Sequence, residues 1–227
     1  MTHTKPHRPI RSFVKREGRM TRSQQQALDE LWPVYGIADI HTTLDLDLLF
    51  PRQAPRFVEI GFGMGTSLLQ MAKNYPDRDF IGIEVHRPGV GSTLTRLHDE
   101  QLSNLKIINH DAVEILKQCI AENSLDGVYL FFPDPWHKKK HHKRRIVQPS
   151  FVQMVHHCLK PGGIFHIATD WENYAAHIMN VMSSSPGFIN DTGDGRFSLR
   201  QGRPETKYEH RGQRLGHDVW DIVFRKQ

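Results

Sequence analysis

The sequence predicts an α/β fold with a doubly wound, mostly parallel sheet and an antiparallel C-terminal strand. Three observations support this prediction. From Arg56 onwards, short apolar stretches alternate with stretches of helical spacing. The first apolar stretch runs into a glycine-rich turn, and the last stretch of the chain alternates apolar and polar residues as a strand does. Strands and helices that alternate at this length form βαβ units, whose strands pair in parallel.

The predicted strands are short apolar segments bounded by turns. In order, they are "RFVEI", "DFIGIEV", "NLKIINH", "LDGVYLFF", "IFHIAT" and the C-terminal "HDVWDIVFRK". The helices between them are "TSLLQMAKNY", "GVGSTLTRLHDEQL", "AVEILKQCIAE", "PSFVQMVHHCL", closed by "KPGG", and "WENYAAHIMNVM". Ahead of the sheet, we expect a short helix from Ser23 to Trp32 that stops near Pro33. The stretch from Pro33 to Pro55 should cover one edge of the domain.

Composition favours a single globular domain with a polyanionic partner. Hydrophobic residues make up 38% of the 227 residues, which is enough for one core. The net charge of +5 and the pI of about 9.3 point to a polyanion. Cys119 and Cys158 are the only cysteines and form no disulfide framework or metal-binding pattern. With no membrane-length apolar run and no signal peptide, a cytoplasmic location is expected.

The N-terminal segment is strongly basic. Its first 22 residues carry seven cations against Glu17; the cations are Lys5, Arg8, Arg11, Lys15, Arg16, Arg19 and Arg22. Such a segment can be a solvated tail, an organellar transit peptide or a flexible arm that contacts RNA phosphates. The segment by itself does not decide between these interpretations.

The first three predicted strands each end in an acidic residue: Glu59, Glu84 and Asp111. In such a sheet, ligands bind beyond the carboxyl ends of the strands. Carboxylates there can accept bonds from ribose hydroxyls or an exocyclic amine, although Asp111 could equally cap the next helix. Three acids favour an adenosine without phosphates, because phosphates would be repelled. The cationic S-adenosylmethionine fits this pocket better than a nicotinamide dinucleotide does.

The turn after the first strand contains Gly61, Gly63 and Gly65. Glycines let the backbone turn tightly and let a ligand approach with no Cβ in the way. The spacing differs from the dinucleotide fingerprint, because Thr66 occupies the place of its third glycine, and no P-loop lysine follows. We expect the three glycines to bind the cofactor, with a merely tight β–α turn as the alternative.

Six segments together resemble one family: "VEIGFGMG", "IGIEV", "HDAVE", "FFPDPWHKKKHHKRR", "ATDW" and "RPETKYEHRG". The family is the bacterial tRNA (guanine-N7-)-methyltransferases of the TrmB type. The similarity runs from "IRSFVKREGR" to "GHDVWDIVF", and the fourth and sixth segments are highly specific. It implies a Rossmann-like class I methyltransferase domain over residues 51–227, behind a basic arm and short helix in residues 1–50.

The resemblance implies that the methyl donor is S-adenosylmethionine and that the substrate is the variable-loop guanosine of tRNA, position 46, methylated at N7. The residues that it assigns to the donor pocket, beside the glycines, are Glu59, Glu84, Asp111 and Asp134. The residues that it assigns to the substrate are Lys138, Asp170, Thr206, Lys207, Tyr208 and Glu209.

Asp134 is the candidate catalytic residue. Pro133 and Pro135 restrict its backbone, which lowers the cost of ordering its carboxylate. Guanine N7 carries a free lone pair at neutral pH, so methyl transfer needs positioning and electrostatics rather than a general base. A carboxylate at the N1–H and N2–H edge would bind more strongly as positive charge develops. Trp136 would then stack on the base or pack the turn.

The cations that follow Asp134 are expected to hold tRNA phosphates, so that binding weakens steeply with salt. They are Lys139, Lys140, Lys143, Arg144 and Arg145. Because tRNA is the expected partner, the basic N-terminal arm is expected to form a second contact with the RNA. His137 and His141 have a zinc-like spacing, but the adjacent cations oppose a divalent ion, and no metal is expected.

Two other functions stay open at this stage. The chain could be a tRNA-binding scaffold with an unused donor pocket, which a measurement of donor binding would test. It could also methylate an exocyclic amine, which chromatography of the digested product would reveal. No periodicity in the sequence indicates an oligomeric state.

Overall fold

The structure is a computed structural model that describes residues 11–14, 18–200, 202–205, 209 and 218–227. In this part of the chain, the strands are β1 (Arg56–Ile60), β2 (Asp79–Ile83), β3 (Leu105–Ile108), β4 (Leu125–Phe131), β5 (Leu159–Thr169), β6 (Phe188–Asn190) and β7 (Trp220–Lys226). The helices are α1 (Arg22–Glu30), α2 (Trp32–Tyr35), α3 (Leu46–Leu49), α4 (Thr66–Asn74), α5 (Arg87–Asp99), α6 (Ala112–Gln118), α7 (Pro149–Cys158) and α8 (Glu172–Ser183). A 3₁₀ helix spans Lys139–Arg144.

The strands form one sheet in the order β3-β2-β1-β4-β5-β7-β6. The first five are parallel, and β7 runs antiparallel to both β5 and β6. The predicted doubly wound, mostly parallel sheet with an antiparallel C-terminal strand is therefore confirmed. The strand order reverses between β1 and β4, and a ligand crevice is expected beyond the carboxyl ends of the strands at that point.

Two apolar layers sandwich the sheet. On one face, α6, α7 and α8 pack with residues of the 37–50 stretch. On the other face, α1, α4 and α5 pack over β1, β2 and β3. The stretch after α2 runs along β3, where the N–H of Ile37 donates to the carbonyl oxygen of Ile107 at 2.8 Å. The beginning of the predicted covering segment therefore lies along the edge strand β3, and residues of its later part pack into the core.

Several elements differ from the predicted ones. The helix predicted from Ser23 to Trp32 is α1, which ends at Glu30, but a second short helix, α2, begins at once and holds Pro33 in its first turn, where an N–H has no partner within the helix to lose. The "KPGG" segment belongs to β5 rather than closing α7, and β5 is bulged where it pairs with Leu125 and Gly127. The edge strand β6 is not predicted, because three residues are too few for a periodic signal.

Among the described residues, no helix combines the length and the apolar character that a membrane crossing requires.

Candidate active site

A cavity of about 470 Å³ opens at the carboxyl ends of β1 to β4. Five of the seven predicted donor-pocket residues line it: Gly61, Gly63, Glu84, Asp111 and Asp134. Glu59 and Gly65 are not among its lining residues. The five lining residues come from four separate strand ends, and they share one cavity because parallel strands end at the same edge of the sheet.

The three glycines of the glycine-rich turn have two different structural roles. Gly61 and Gly63 have φ angles of +74° and +59°, and a Cβ on either would project into open space. They leave the cavity wall as bare backbone, which a ligand can approach. Gly65 does not line the cavity; a Cβ there would lie 2.2 Å from Oγ1 of Thr93 in α5. Gly65 therefore allows α4 and α5 to pack closely, and its predicted contact with the donor stays a prediction.

Glu84 holds the shape of this turn. Its Oε2 accepts a bond from the N–H of Gly63 at 2.8 Å. Its Oε1 accepts from the N–H groups of Val85 and His86 at 2.7 Å and 2.9 Å. A carboxylate oxygen has two lone-pair positions, so Oε2 can still accept a ligand hydroxyl. Glu84, the residue expected to accept a bond from a ribose hydroxyl, is thus hydrogen-bonded directly to the glycine-rich turn.

Glu59 is buried and incompletely satisfied. Its residue is 2% exposed, and Oε2 is a buried atom without a hydrogen-bond partner in the described structure. Burial, and secondarily the charge of Glu84, raises the pKa of Glu59 to about 8. Its neighbours Ile60 and Gly61 line the cavity. A cationic or hydroxyl-bearing ligand would satisfy this carboxyl group, and a second anion would be repelled.

Asp111 caps α6, as the alternative interpretation expected, since its Oδ1 accepts from the N–H of Val113 at 3.1 Å. It also lines the cavity. Burial raises the pKa of Asp111 above its ordinary value, and the bond from Val113 opposes this effect. The cap uses one oxygen and leaves the other for a ligand donor.

Asp134 lies on a backbone held in uncommon conformations. Four non-glycine residues of the described chain have positive φ, and two of them flank this residue: Phe132 at +51° and Trp136 at +48°. Bulky residues rarely adopt positive φ angles, and residues held in such uncommon conformations are often found at functional sites. The N–H of Trp136 donates to Asp134 Oδ1 at 3.0 Å, which fixes the carboxylate. We call residues 132–136 the Asp134 platform.

The platform also holds residues 11–14, which we call the arm segment. Ser12, Phe13 and Val14 line the cavity. Nε1–H of Trp136 donates to the carbonyl oxygen of Ser12 at 3.1 Å. Arg144 donates from Nε to the carbonyl oxygen of Arg11 at 3.1 Å and from Nη2 to that of Phe13 at 2.9 Å. No pattern in the sequence indicated that the arm reaches the cavity.

The indole of Trp136 is engaged within the protein. The guanidinium of Arg144 lies 3.9 Å from its ring centroid, and His141 meets it edge-on at 5.9 Å. Its N–H is bonded to Ser12. Of the two interpretations of Trp136, the structure supports packing of the turn.

The basic run separates into two groups. Lys138, Lys139, Lys140 and Lys143 are exposed. Arg144 is bonded to the arm segment, and Arg145 is 3% exposed. Arg145 donates from Nε to the carbonyl oxygen of Pro135 at 3.0 Å and from Nη2 to Asn173 Oδ1 at 2.8 Å. Arg145 is therefore buried, and the four lysines are the exposed cations of this run. The predicted RNA contacts of Arg144 and Arg145 stay predictions.

The predicted substrate residues lie only partly within the described chain. Asp170 follows β5 and is half-buried. Glu209 is buried and bonded to Arg203. Thr206, Lys207 and Tyr208 lie outside the described residues, as do Lys5, Arg8, Lys15 and Arg16 of the arm. Within the described chain, no group of three or more His, Cys, Asp or Glu is arranged to hold a metal ion.

Comparison with known proteins finds similarity both to a family model and to individual curated sequences. The family model Methyltransf_4, described as "Putative methyltransferase", matches residues 53–222. A tRNA (guanine-N(7)-)-methyltransferase of Alcanivorax borkumensis is 58% identical over 97% of this chain and 92% of its own. Those of Pseudomonas aeruginosa and Aeromonas hydrophila are 55% and 56% identical, over 98% and 96% of this chain and 91% and 93% of their own.

Solved structures share the fold at low sequence identity. The 16S rRNA methyltransferase KamB aligns with a TM-score of 0.55 and 13% identity, over 82% of this chain and 94% of its own. A SAM-dependent methyltransferase of Aquifex aeolicus aligns with a TM-score of 0.53 and 13% identity, over 80% of this chain and 87% of its own.

Proposed function

This chain belongs to the family of the tRNA (guanine-N7-)-methyltransferases, and from that membership we propose that it methylates N7 of a tRNA guanosine with S-adenosylmethionine as the donor. The guanosine is the one in the variable loop, position 46. The observation that carries the proposal is the placement of Asp134. Asp134 lines the cavity at the carboxyl ends of β1 to β4, which we propose binds the donor and call the donor cavity. It is exposed and is followed closely in the chain by the exposed Lys138, Lys139 and Lys140.

The residues of the cavity fit the methyl donor. Gly61 and Gly63 leave bare backbone that a Cβ would otherwise cover. Glu59 does not line the cavity itself, but it immediately precedes the lining residues Ile60 and Gly61, and its buried, unpaired oxygen would favour a cationic or hydroxyl partner. Glu84 and Asp111 add acceptor oxygens for hydroxyl and amine donors. The donor would supply an electrophilic methyl group on a sulfonium, and the chain would supply its orientation.

Asp134 would act on the guanine rather than on a proton of the nucleophile. Guanine N7 carries an in-plane lone pair, and methylation makes the purine cationic. The N1–H and N2–H groups become stronger donors as that charge develops, so a fixed carboxylate gains binding energy in the transition state. The bond from the N–H of Trp136 holds the Asp134 carboxylate in one orientation and reduces the ordering cost.

The exposed lysines supply the contact with the nucleic acid. Lys138, Lys139, Lys140 and Lys143 lie in and next to the 3₁₀ helix that follows the Asp134 platform. Each phosphate that they neutralise releases counterions, which gives affinity without sequence preference. We propose further substrate contacts from Asp170 and from the stretch Thr206 to Glu209, and RNA contacts from the basic arm. Both described cysteines are free and buried, in keeping with a cytoplasmic location.

The decisive experiment is methylation of a defined transcript. The protein is incubated with S-adenosylmethionine and an unmodified tRNA that has a guanosine in its variable loop, and the digested RNA is analysed by mass spectrometry and chromatography. We expect 7-methylguanosine with this transcript and none with a matched transcript that carries adenosine at that position. An N2- or N6-methyl product would indicate an exocyclic amine instead. Donor binding without any methylated product would contradict the proposal.

A further inference from the structure

A buried ionic cluster lies beside the Asp134 platform, where β5 pairs with the beginning of β7. Its centre is Arg203, which is 5% exposed. Nε of Arg203 donates to Asp221 Oδ1 at 2.6 Å, and Nη2 donates to Oδ2 at 2.7 Å. Nη1 donates to Glu209 Oε2 at 2.6 Å, and Nη2 also donates to Oε1 at 3.2 Å. One guanidinium therefore joins a carboxylate of β7 to the carboxylate of Glu209.

The sheet fixes Asp221 from its other side as well. Asp221 belongs to β7, and its Oδ1 lies 2.6 Å from Nε2 of His166 in β5. Burial raises the pKa of Asp221, but hydrogen bonds from Arg203 and His166 outweigh this and hold the pKa below its usual range. Asp221 is thus an ionised, rigidly held anchor. Buried charges are tolerated when they are paired and hydrogen-bonded, as they are here.

The same guanidinium touches the platform that carries Asp134. Cζ of Arg203 lies 5.6 Å from the ring centroid of Phe132 and 6.0 Å from that of Phe131. Phe132 has a φ of +51° and immediately precedes Pro133 and Asp134. Its N–H donates to the carbonyl oxygen of Ala168 in β5 at 2.8 Å. Arg203 therefore spans the space between Glu209 and the base of the platform.

We propose that Arg203 is a positioning residue for methyl transfer: anchored by Asp221, it fixes Glu209 relative to the Asp134 platform. This inference rests on the proposed function, because it concerns where the guanosine lies against the donor. Arg203 does not line the donor cavity; it lines a separate cavity with residues of β4, β5 and β7. Its loss should therefore impair the placement of the RNA and leave the binding of the donor intact.

An arginine is required at this position because of its planar fork. A guanidinium carries its N–H groups in fixed directions, and here four hydrogen bonds from Arg203 join two carboxylates while Cζ lies within 6.0 Å of two phenyl ring centroids. A lysine carries the same charge on a compact ammonium, which cannot hold both carboxylates bidentately. Arg203→Lys therefore keeps the charge of the cluster and removes its geometry.

The test compares Arg203→Lys and Asp221→Asn with the wild type. The control is Arg225→Lys, an arginine of β7 whose Nη2 donates to Asp191 at the surface at 2.8 Å. For each protein, calorimetry gives the affinity for S-adenosylmethionine and the number of donor sites, and steady-state assays with tRNA give kcat and KM per donor site. Counting sites in this way prevents partial unfolding from registering as a lost rate. The double variant Arg203→Lys with Asp221→Asn measures their coupling.

For Arg203→Lys we expect kcat to fall by about 100-fold, the loss that a misplacement of about 1 Å can cause, while donor affinity is unchanged. Asp221→Asn should act in the same direction, and the double variant should be no worse than Arg203→Lys. Unchanged kcat in Arg203→Lys would overturn the inference. So would a fall in kcat that is accompanied by a loss of donor affinity, or a loss of donor sites with kcat per site unchanged, since either would indicate a purely structural role. A wild type that makes no 7-methylguanosine would instead overturn the proposed function.

Discussion

The indole N–H of Trp136 donates a hydrogen bond to the carbonyl oxygen of Ser12 at 3.1 Å, across 124 residues of sequence. Through this bond, the platform that carries the candidate catalytic carboxylate also holds the arm segment against the cavity that we propose binds the donor. Binding of the donor and the position of the arm are therefore expected to be linked.

Trp136→Phe should weaken donor binding modestly. The variant keeps an aromatic ring beneath Arg144 and removes the N–H that Ser12 accepts. One such bond contributes about 0.5–1.5 kcal/mol, so we expect the donor Kd to rise by about 2- to 10-fold. Calorimetry with S-adenosylmethionine measures this, with Trp32→Phe in α2 as the control. A wild-type Kd in Trp136→Phe would show that the arm segment does not retain the donor.

Asp134→Asn should lose turnover and keep tRNA affinity. The amide preserves the size of the side chain but removes the charge whose interaction strengthens as the purine becomes cationic. By analogy with the loss of one transition-state donor, kcat should fall by about 10²–10³-fold. Single-turnover assays and tRNA titrations measure the two quantities. Asp77→Asn, at the exposed turn before β2, is the control. A comparable fall in tRNA affinity would contradict the assigned role.

Glu59→Gln should change how stability depends on pH. The pKa of Glu59 is raised by burial to about 8, whereas an unfolded glutamate has a pKa of about 4.3. Between these values the folded chain retains a proton that the unfolded chain has released, so wild-type stability falls as pH rises. The glutamine is neutral throughout. We expect the difference in Tm, Glu59→Gln minus wild type at the same pH, to increase from about pH 5 to about pH 8 and then to stay constant.

Thermal unfolding without the donor measures this gain, with the exposed Glu122→Gln as a control that should show no such trend. A pH-independent difference in Tm would contradict the raised pKa. If the donor pairs with the ionised carboxylate, its binding should also release a proton from the wild type at about pH 6.5, where an α-amino group stays charged. Calorimetry in buffers of different ionisation enthalpy would detect that proton, and Glu59→Gln should not release it.

Neutralising Lys139 and Lys140 together should flatten the salt dependence of tRNA binding. Removal of one phosphate interaction should reduce the slope of log K against log salt by about 0.7–0.9. The matched control is Lys73→Gln with Lys117→Gln. It removes two exposed lysines from the last turns of α4 and α6, toward the amino ends of the strands and away from the cavity. An equal slope in the wild type and in the Lys139 and Lys140 variant would reject the phosphate interaction.

Much of the site was predictable because it depends on local patterns. The acids at the strand ends, Glu59, Glu84 and Asp111, follow from the alternation of strands and helices, and the paired prolines mark Asp134 as a fixed carboxylate. Charge runs carry no such information. Nothing in "KKKHHKRR" distinguishes the exposed Lys139 from Arg144, which is bonded to the arm segment, or from Arg145, which is buried against Tyr174.

The amino-acid sequence was enough to predict the five parallel strands with the helices between them, the end of the sheet where the cavity forms, and the family. These properties depend on backbone periodicity and on short motifs, which are local in the chain. Three further features became visible only in the packed structure: which cations remain exposed, that Ser12 reaches the cavity, and that Arg203 joins Glu209 to Asp221. Those side chains come from distant segments, and their partners exist only once the sheet has packed and buried charges must find counterions.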